Sequence, residues 1–187
     1  MALSLEDIEA IFAARGGEQY TGEPVTHLEH ALQSALLAEA QGASDAMVTA
    51  ALLHDLGHLL HDFGDTPTAH GIDDIHQYRA LPFLRAGFGS DVLDPIRLHV
   101  DAKRYLCATR EGYFAGLSDD SKRSLGLQGG IFNAGQAAAF ILQAGAADAV
   151  RLRLWDDAAK SAGAATPPLA HFLARARRCM LAQAAGA

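Results

Sequence analysis

The stretch Ala50-Ala51-Leu52-Leu53-His54-Asp55-Leu56-Gly57-His58 constrains this chain more than any other. Val48, Ala51, Leu52, Leu56, Leu59 and Leu60 recur at helical spacing, which predicts a buried or half-buried helix. On such a helix His54 and His58 share a face, and Asp55 projects about 100° round from His54. Two imidazoles and a carboxylate are costly to bury without partners; a metal ion satisfies all three. A lone His-Asp dipeptide is ordinarily a capped or ion-paired histidine beside a surface aspartate. Inside Leu-Leu-His-Asp-Leu-Gly-His, with more histidines before and after, the metal reading prevails. Because a carboxylate has two oxygens, Asp55 can bind the cation that His54 takes and a second one beside it.

The remaining composition says what surrounds that helix. Half of the 187 residues are apolar and only 7% are aromatic, with Ala and Leu abundant and Val, Ile and Thr scarce. That balance favours helix over strand, and the length suits one domain spanning 1–187 that buries roughly 70% of its unfolded surface. A net charge of −7 without basic runs argues against nucleic acid and anionic membrane as partners. Cys107 and Cys179 are too few and too distant for a disulfide framework, so reduced thiols are expected. The acidic first residues carry no signal-peptide pattern, and no apolar run reaches spanning length. A soluble, cytoplasmic protein is the expectation.

Along the chain, Ser4 with Asp7 caps a first helix whose stripe is Leu5, Ile8, Ile11 and Phe12, ending at Arg15-Gly16-Gly17. A turn-rich segment, Gln19 to Pro24, precedes a second helix over about 25–41. That helix buries Leu28, Leu32, Ala35 and Leu36 near His30 and leaves His27 on the surface. Ser44 caps the central helix, predicted to run to about Asp62. A loop follows from Phe63 to Gly71. Asp73 or Asp74 opens a fourth helix carrying His76, kinked or ended by Pro82. Ser90 and Asp94-Pro95 both read as starts of the helix bearing His99 and Lys103. A short capped helix is expected at 117–121, a loop with positive φ at Gln128-Gly129-Gly130, a helix over about 147–160, and an Ala-rich helix from Pro167-Pro168 to the end. One all-α domain fits.

Five of these segments supply candidate ligands. With Asp55 shared, they divide into His30, His54, Asp55 and Asp156 around one ion and Asp55, His76 and His99 around another. Nitrogen and oxygen donors without thiolate suit iron, manganese, cobalt or zinc, and the second ion would keep open positions.

His30, His54-Asp55 and Asp156 resemble the signature of the HD-domain superfamily, a helical bundle, and His76 with His99 resembles its dinuclear branches. More narrowly, Tyr20-x-Gly-Glu23, Leu28-Glu29-His30, Leu52 to His58, His99-Val-x-Ala-Lys103-Arg104-Tyr105-Leu106, Leu117-Ser-Asp-x-Ser121, Gln128-Gly-Gly and Arg153-x-Trp155-Asp156 resemble the mixed-valent diiron oxygenases of PhnZ type. Those enzymes cleave carbon–phosphorus bonds. The likeness spans about Tyr20 to Lys160. It implies two iron ions, Fe(II) and Fe(III), and O2 as co-substrate. The substrate implied is a 1-hydroxy-2-aminoethylphosphonate or its trimethylammonium analogue, converted to phosphate plus glycine or glycine betaine.

The resemblance also assigns roles. Lys103, Ser121 and Gln128 bind the phosphonate; His58 donates to substrate or oxygen; Tyr20 and Glu23 form a mobile gate, the carboxylate facing the substrate's ammonium; Arg153 braces Asp156 or the substrate, and Trp155 is core. Tyr78 and Asp73 join Tyr20 and Glu23 as candidates for a quaternary amine. His61 falls outside the ligand pattern and is read as outer shell or surface, while His70 and His171 have no assigned role. Three other readings stand beside this one. An HD-type phosphohydrolase of a nucleotide or small phosphate ester would use metal-bound hydroxide. Ring cleavage of a polyol such as inositol would need no cation for a phosphonate. A signalling HD domain would have no reason to keep six ligands.

Overall fold

The computed structural model describes residues 2–20, 22–61 and 67–181. Helix α1 (Leu5–Arg15) starts at Ser4, whose hydroxyl and backbone exchange hydrogen bonds with Asp7 in a capping box, and buries Leu5, Ile8 and Phe12. Helix α2 (His27–Ala40) repeats the device with Thr26 and Glu29. Between them, Gln19 and Thr26 bridge across a tight turn in which Tyr20 N–H donates to Val25 O, 2.9 Å, and Gly22 takes φ 70°. Glu23 N–H donates to Tyr20 O at 3.0 Å, which keeps these two residues together.

Helix α3 (Asp45–Leu53) begins at Ser44 as expected but stops eight residues after Asp45. His54 retains helical angles, Asp55 has φ −103° and ψ 9°, and a 3-10 segment runs over Leu56–Leu60. The predicted continuous helix to Asp62 is therefore wrong, and with it the placement of His54 and His58 on one α-helical face; residue 62 itself lies outside the described residues, as do positions 63–66 of the expected loop. The cause is a close approach: a Cβ on Gly57 would lie 2.1 Å from the carbonyl oxygen of His76. Glycine lets the 3-10 segment pack on that turn.

Downstream, another 3-10 segment (Pro67–His70) leads to one-turn helices α4 (His76–Arg79) and α5 (Leu81–Leu84). Pro82 sits in the first turn of α5, opening a helix where the sequence suggested an end. Helix α6 (Ser90–Thr109) takes Pro95 in its interior, so Ser90 is the start and Asp94-Pro95 is not. The chain continues through α7 (Tyr113–Gly116), α8 (Asp119–Leu127), α9 (Ala134–Ile141), α10 (Ala146–Ala158) and α11 (Leu169–Arg178). Gly129 and Gly130 have φ 96° and 72°, as the expected loop requires. Helix α11 stops at Arg178, short of the predicted end, and residues 182–187 lie outside the described residues.

Among the described residues no strand forms beyond isolated bridges, and no helix is long and apolar enough to cross a membrane. The fold is all-helical. Helices α6 and α10 pack along each other, α3 packs on α2, α6 and α11, and α10 also meets α2. Alanines at these contacts, including Ala35, Ala38, Ala50, Ala51, Ala102 and Ala149, are buried and permit close approach. Larger side chains fill what remains: Ile8, Leu52, Leu53, Leu84, Ile96, Trp155 and Phe172 in the main cluster, Leu98 and Phe140 in a smaller one. Each such burial contributes about 1.5–3 kcal/mol. The polar groups at the centre of this packing, His30, His54, Asp55, His76, His99 and Asp156, are as deeply buried as the leucines.

Candidate metal centre and its pocket

Each central imidazole is oriented by its own Nδ1. His30 Nδ1 donates to Ala159 O at 2.9 Å, His54 Nδ1 to Ala51 O at 2.9 Å, and His99 Nδ1 to Ile96 O at 2.7 Å. His76 Nδ1 donates to Asp74 Oδ1 at 2.9 Å. With four Nδ1 atoms carrying the protons, four Nε2 lone pairs turn inward. They meet head to head: His30 Nε2 and His54 Nε2 are 3.3 Å apart, His76 Nε2 and His99 Nε2 3.0 Å. Two lone pairs at such distances repel unless a cation lies between them.

Asp55 lends one oxygen to each pair. Its Oδ2 lies 3.5 Å from His30 Nε2 and 3.4 Å from His54 Nε2; its Oδ1 lies 3.3 Å from His76 Nε2 and 3.5 Å from His99 Nε2. Asp156 completes the first group, with Oδ1 3.5 Å from His30 Nε2 and Oδ2 3.8 Å from His54 Nε2. Two sets of donors, His30–His54–Asp156 and Asp55–His76–His99, are thus each compact enough to hold an ion. Buried Asp55 Oδ1 and Asp156 Oδ1 lack hydrogen-bond partners, an expensive condition. Donor separations of 3.0–3.8 Å suit ligands each about 2.0–2.2 Å from a shared ion. The residues therefore fit metal binding at these two donor sets, with Asp55 in reach of both.

The protonation states agree. Burial pushes the His30 and His99 imidazoles down from their ordinary range, leaving both neutral. Burial by itself would raise the Asp55 carboxyl, but His54, His58, His76 and His99 hold it well below the usual range; Asp156 is likewise held down by Arg153, His54 and His30. Neutral imidazole and ionised carboxylate are the metal-binding forms.

A pocket opens on the Asp55–His76–His99 side, lined among others by Tyr20, Glu23, His58, Asp73, Lys103, Ser121, Ser124, Gln128, Arg153 and Lys160. Tyr20 stacks on His30 with ring centroids 4.3 Å apart and donates its hydroxyl to Asp55 Oδ2 at 2.7 Å. Glu23 faces a cation already present, the Lys160 ammonium, at 2.7 Å. Lys103 is 3% exposed and donates to Ser124 Oγ at 2.7 Å; burial and the nearby Arg153 charge push its ammonium down to about 7. Gln128 Oε1 is buried without a partner. Ser121 donates its backbone N–H to the helix-capping Ser118 Oγ, leaving its own buried hydroxyl at the pocket wall. Arg153 pairs with Asp156 at 2.9 Å and with Asp157, and Trp155 is core.

Several neighbours escaped the sequence. His27, expected on the surface, is partly buried against Tyr20 and His58, with ring centroids 5.2 and 5.7 Å away, and burial with the His58 charge lowers its pKa to about 4. Lys160 and Ser124 had no role assigned, although Lys160 follows Asp156 by one turn. Asp74 carries three histidines that sequence spacing does not associate. Tyr78 is 45% exposed and absent from the pocket wall, so it is withdrawn as a binder of a quaternary amine. His171 pairs with Glu39 on the surface; His70 is exposed.

The contact between Gly57 and the His76 turn supports a stability prediction. Gly57→Ala forces a methyl into backbone, an overpacking expected to cost about 1–3 kcal/mol and so to lower Tm by roughly 2–12 °C in a chain of this size. Thermal unfolding followed by circular dichroism measures it; an unchanged Tm would show that the two segments do not touch.

No family model matches the chain. It is 41% identical over 93% of its length to the [1-hydroxy-2-(trimethylamino)ethyl]phosphonate dioxygenase (glycine-betaine-forming) of Leisingera caerulea, covering 89% of that protein. Against the hydroxymethylphosphonate dioxygenase of Gimesia maris the identity is 42% over 88% of this chain and 82% of the relative. An uncharacterized protein of Acanthamoeba polyphaga mimivirus is 33% identical over 84% of this chain and 73% of its own length.

Proposed function

This chain belongs to the family of the PhnZ-type hydroxyphosphonate dioxygenases, and on that premise we propose that it uses O2 to cleave the carbon–phosphorus bond of a 1-hydroxyalkylphosphonate. The substrate in this reading is 1-hydroxy-2-(trimethylamino)ethylphosphonate or its free-amine analogue. One molecule of O2 and one of substrate give phosphate, a carboxylate and one proton. The carboxylate is glycine betaine or glycine, and both oxygen atoms of O2 are retained in the products. The observation that carries the reading is the Asp55 carboxylate set between two imidazole pairs, with a buried lysine across the pocket.

His30, His54, Asp55 and Asp156 would hold one iron ion, and Asp55, His76 and His99 the other. Bound there as a mixed-valent Fe(II)/Fe(III) pair, they would supply an electrophilic anchor for the substrate and the site of oxygen activation. The chain's own residues do the rest. In its charged form Lys103 offers a positive charge in a buried setting, where a phosphonate gains most from it, and Ser121 and Gln128 offer hydrogen bonds to the remaining oxygens, while Ser124 Oγ accepts from Lys103 and donates to Ser121 O. Asp55 and Asp74 outweigh burial to keep His58 charged through a higher pH than an ordinary histidine. It can therefore donate a proton from Nε2, 3.9 Å from Asp55 Oδ1. Tyr20 covers the first ligand group and excludes water. Glu23 is the counter-ion for a substrate ammonium, which must displace Lys160 to reach it.

Aerobic incubation of the iron-loaded protein with the trimethylamino, free-amine and unsubstituted 1-hydroxyphosphonates tests the reading through released phosphate. Turnover of an amine-bearing substrate is expected, coupled to O2 uptake. Glu23→Ala is expected to lower kcat/KM for the amine-bearing substrates by roughly 10-fold, the value of one charge-assisted contact, and to leave the unsubstituted substrate and the iron content unaffected. Phosphate release from nucleotides without O2 would replace this reading with the phosphohydrolase.

A further inference from the structure

Asp74 is a buried carboxylate, 5% exposed, to which the oxygenase reading assigns nothing. Three imidazoles converge on it. His58 Nδ1 lies 2.5 Å from its Oδ2, His61 Nε2 lies 3.0 Å from the same oxygen, and His76 Nδ1 lies 2.9 Å from Oδ1. His76 N–H also donates to Oδ1, at 3.3 Å. The local backbone is shaped to make this possible. Ile75, between Asp74 and His76, adopts φ 46° and ψ 36°, a left-handed conformation that a β-branched residue takes only under compulsion. That twist folds the Asp74 carboxylate back onto the ring of the residue two further on. Gly57, without a Cβ, brings the 3-10 segment bearing His58 against the same turn, where the His58 and His76 rings stack with centroids 4.0 Å apart.

We infer that Asp74 is the positioning residue that couples the two halves of the site. One oxygen fixes His76 with its Nε2 toward Asp55 and His99; the other fixes His58 with its Nε2 toward the pocket. His61 is the third arm, meeting the same carboxylate oxygen as His58. Carboxylates that hold the outer nitrogen of a metal-bound histidine set its tautomer and raise its basicity. Here the same carboxylate also aims a pocket histidine, so one group sets both the second ion's ligand and the donor beside the substrate. The inference rests on the reading of His76 as a ligand.

The test is metal affinity, independent of turnover. Iron(II) binding to Asp74→Asn, measured anaerobically against a chelator, is expected to show one of two sites weakened by roughly 10–100-fold with the other unchanged. His61→Gln should weaken that same site less. Two unaltered affinities in Asp74→Asn would overturn the inference. If His76→Ala also keeps both ions, the ligand reading has failed instead. Long-range nitrogen–proton NMR of the zinc-substituted unmutated protein tests the geometry without relying on a variant that folds. His58 should carry a proton on Nδ1 and His61 on Nε2. A His58 protonated only at Nε2 would show that Asp74 does not hold it, and the coupling would fall.

Discussion

Asp55→Ala is expected to empty both ion sites and reduce phosphate release to background. Its two oxygens face different histidine pairs, Oδ2 toward His30 and His54 and Oδ1 toward His76 and His99, so one substitution removes a ligand from each. The loss of affinity should exceed the roughly 10–100-fold typical when an outer partner is removed, because an ionised donor and half of the local carboxylate charge go together. The truncation also leaves the buried Tyr20 hydroxyl without its acceptor, an added cost of about 1–3 kcal/mol in stability. His99→Ala is the contrast: it belongs to one group only, and should leave the His30–His54–Asp156 ion in place. Metal analysis of the two purified variants distinguishes them. An Asp55→Ala protein that retains two ions would refute the shared carboxylate.

Lys103→Ala should keep both ions and lose substrate. A hydrogen bond to a charged group is worth about 1.5–3 kcal/mol, so KM for the phosphonate should rise roughly 10- to 100-fold. The pH dependence is more diagnostic. The Lys103 ammonium has its pKa lowered from 10.5 to about 7, first by burial and then by Arg153. The charged form that binds an anion therefore prevails below about pH 7 and is lost above it. In the free enzyme kcat/KM should fall by about tenfold per unit as pH rises beyond 7. Substrate ionisation affects the variant equally, so the ratio of unmutated to variant kcat/KM isolates the lysine: large below pH 7, approaching unity above. A flat ratio would remove Lys103 from phosphonate binding. The stability sign is opposite. A lysine whose folded pKa is lowered disfavours the folded state most below about pH 7, and that penalty fades as pH climbs toward 10.5.

How much of this was visible in the chain differs by residue. His30, His54, Asp55, His76, His99 and Asp156 stand out because imidazoles and carboxylates beside leucines and alanines have few inexpensive fates. The helical composition and the caps at Ser4, Ser44 and Ser118 announced most of the elements. The reading failed where two segments distant in sequence touch. Periodicity carried the central helix on to residue 62, since Leu56, Leu59 and Leu60 also fit a helix; the contact of Gly57 with His76, nineteen positions away, decides otherwise. Asp74 passed as a helix opener, and His27 as surface, because the histidine or tyrosine that buries each comes from another segment. The Lys160–Glu23 pair joins positions 137 residues apart.

Residue types and local spacing thus determined that this chain is helical, that it buries imidazole and carboxylate in an apolar interior, and that such groups call for metal. Only the tertiary structure decided which oxygen of Asp55 faces which pair of imidazoles, where the helix yields to Gly57, and that Asp74 gathers three histidines. The reason is physical: helix propensity, capping and the cost of burying a polar group act within a few residues or on one side chain alone, whereas ligand geometry depends on distances of about 3 Å between atoms that the chain brings together only by packing.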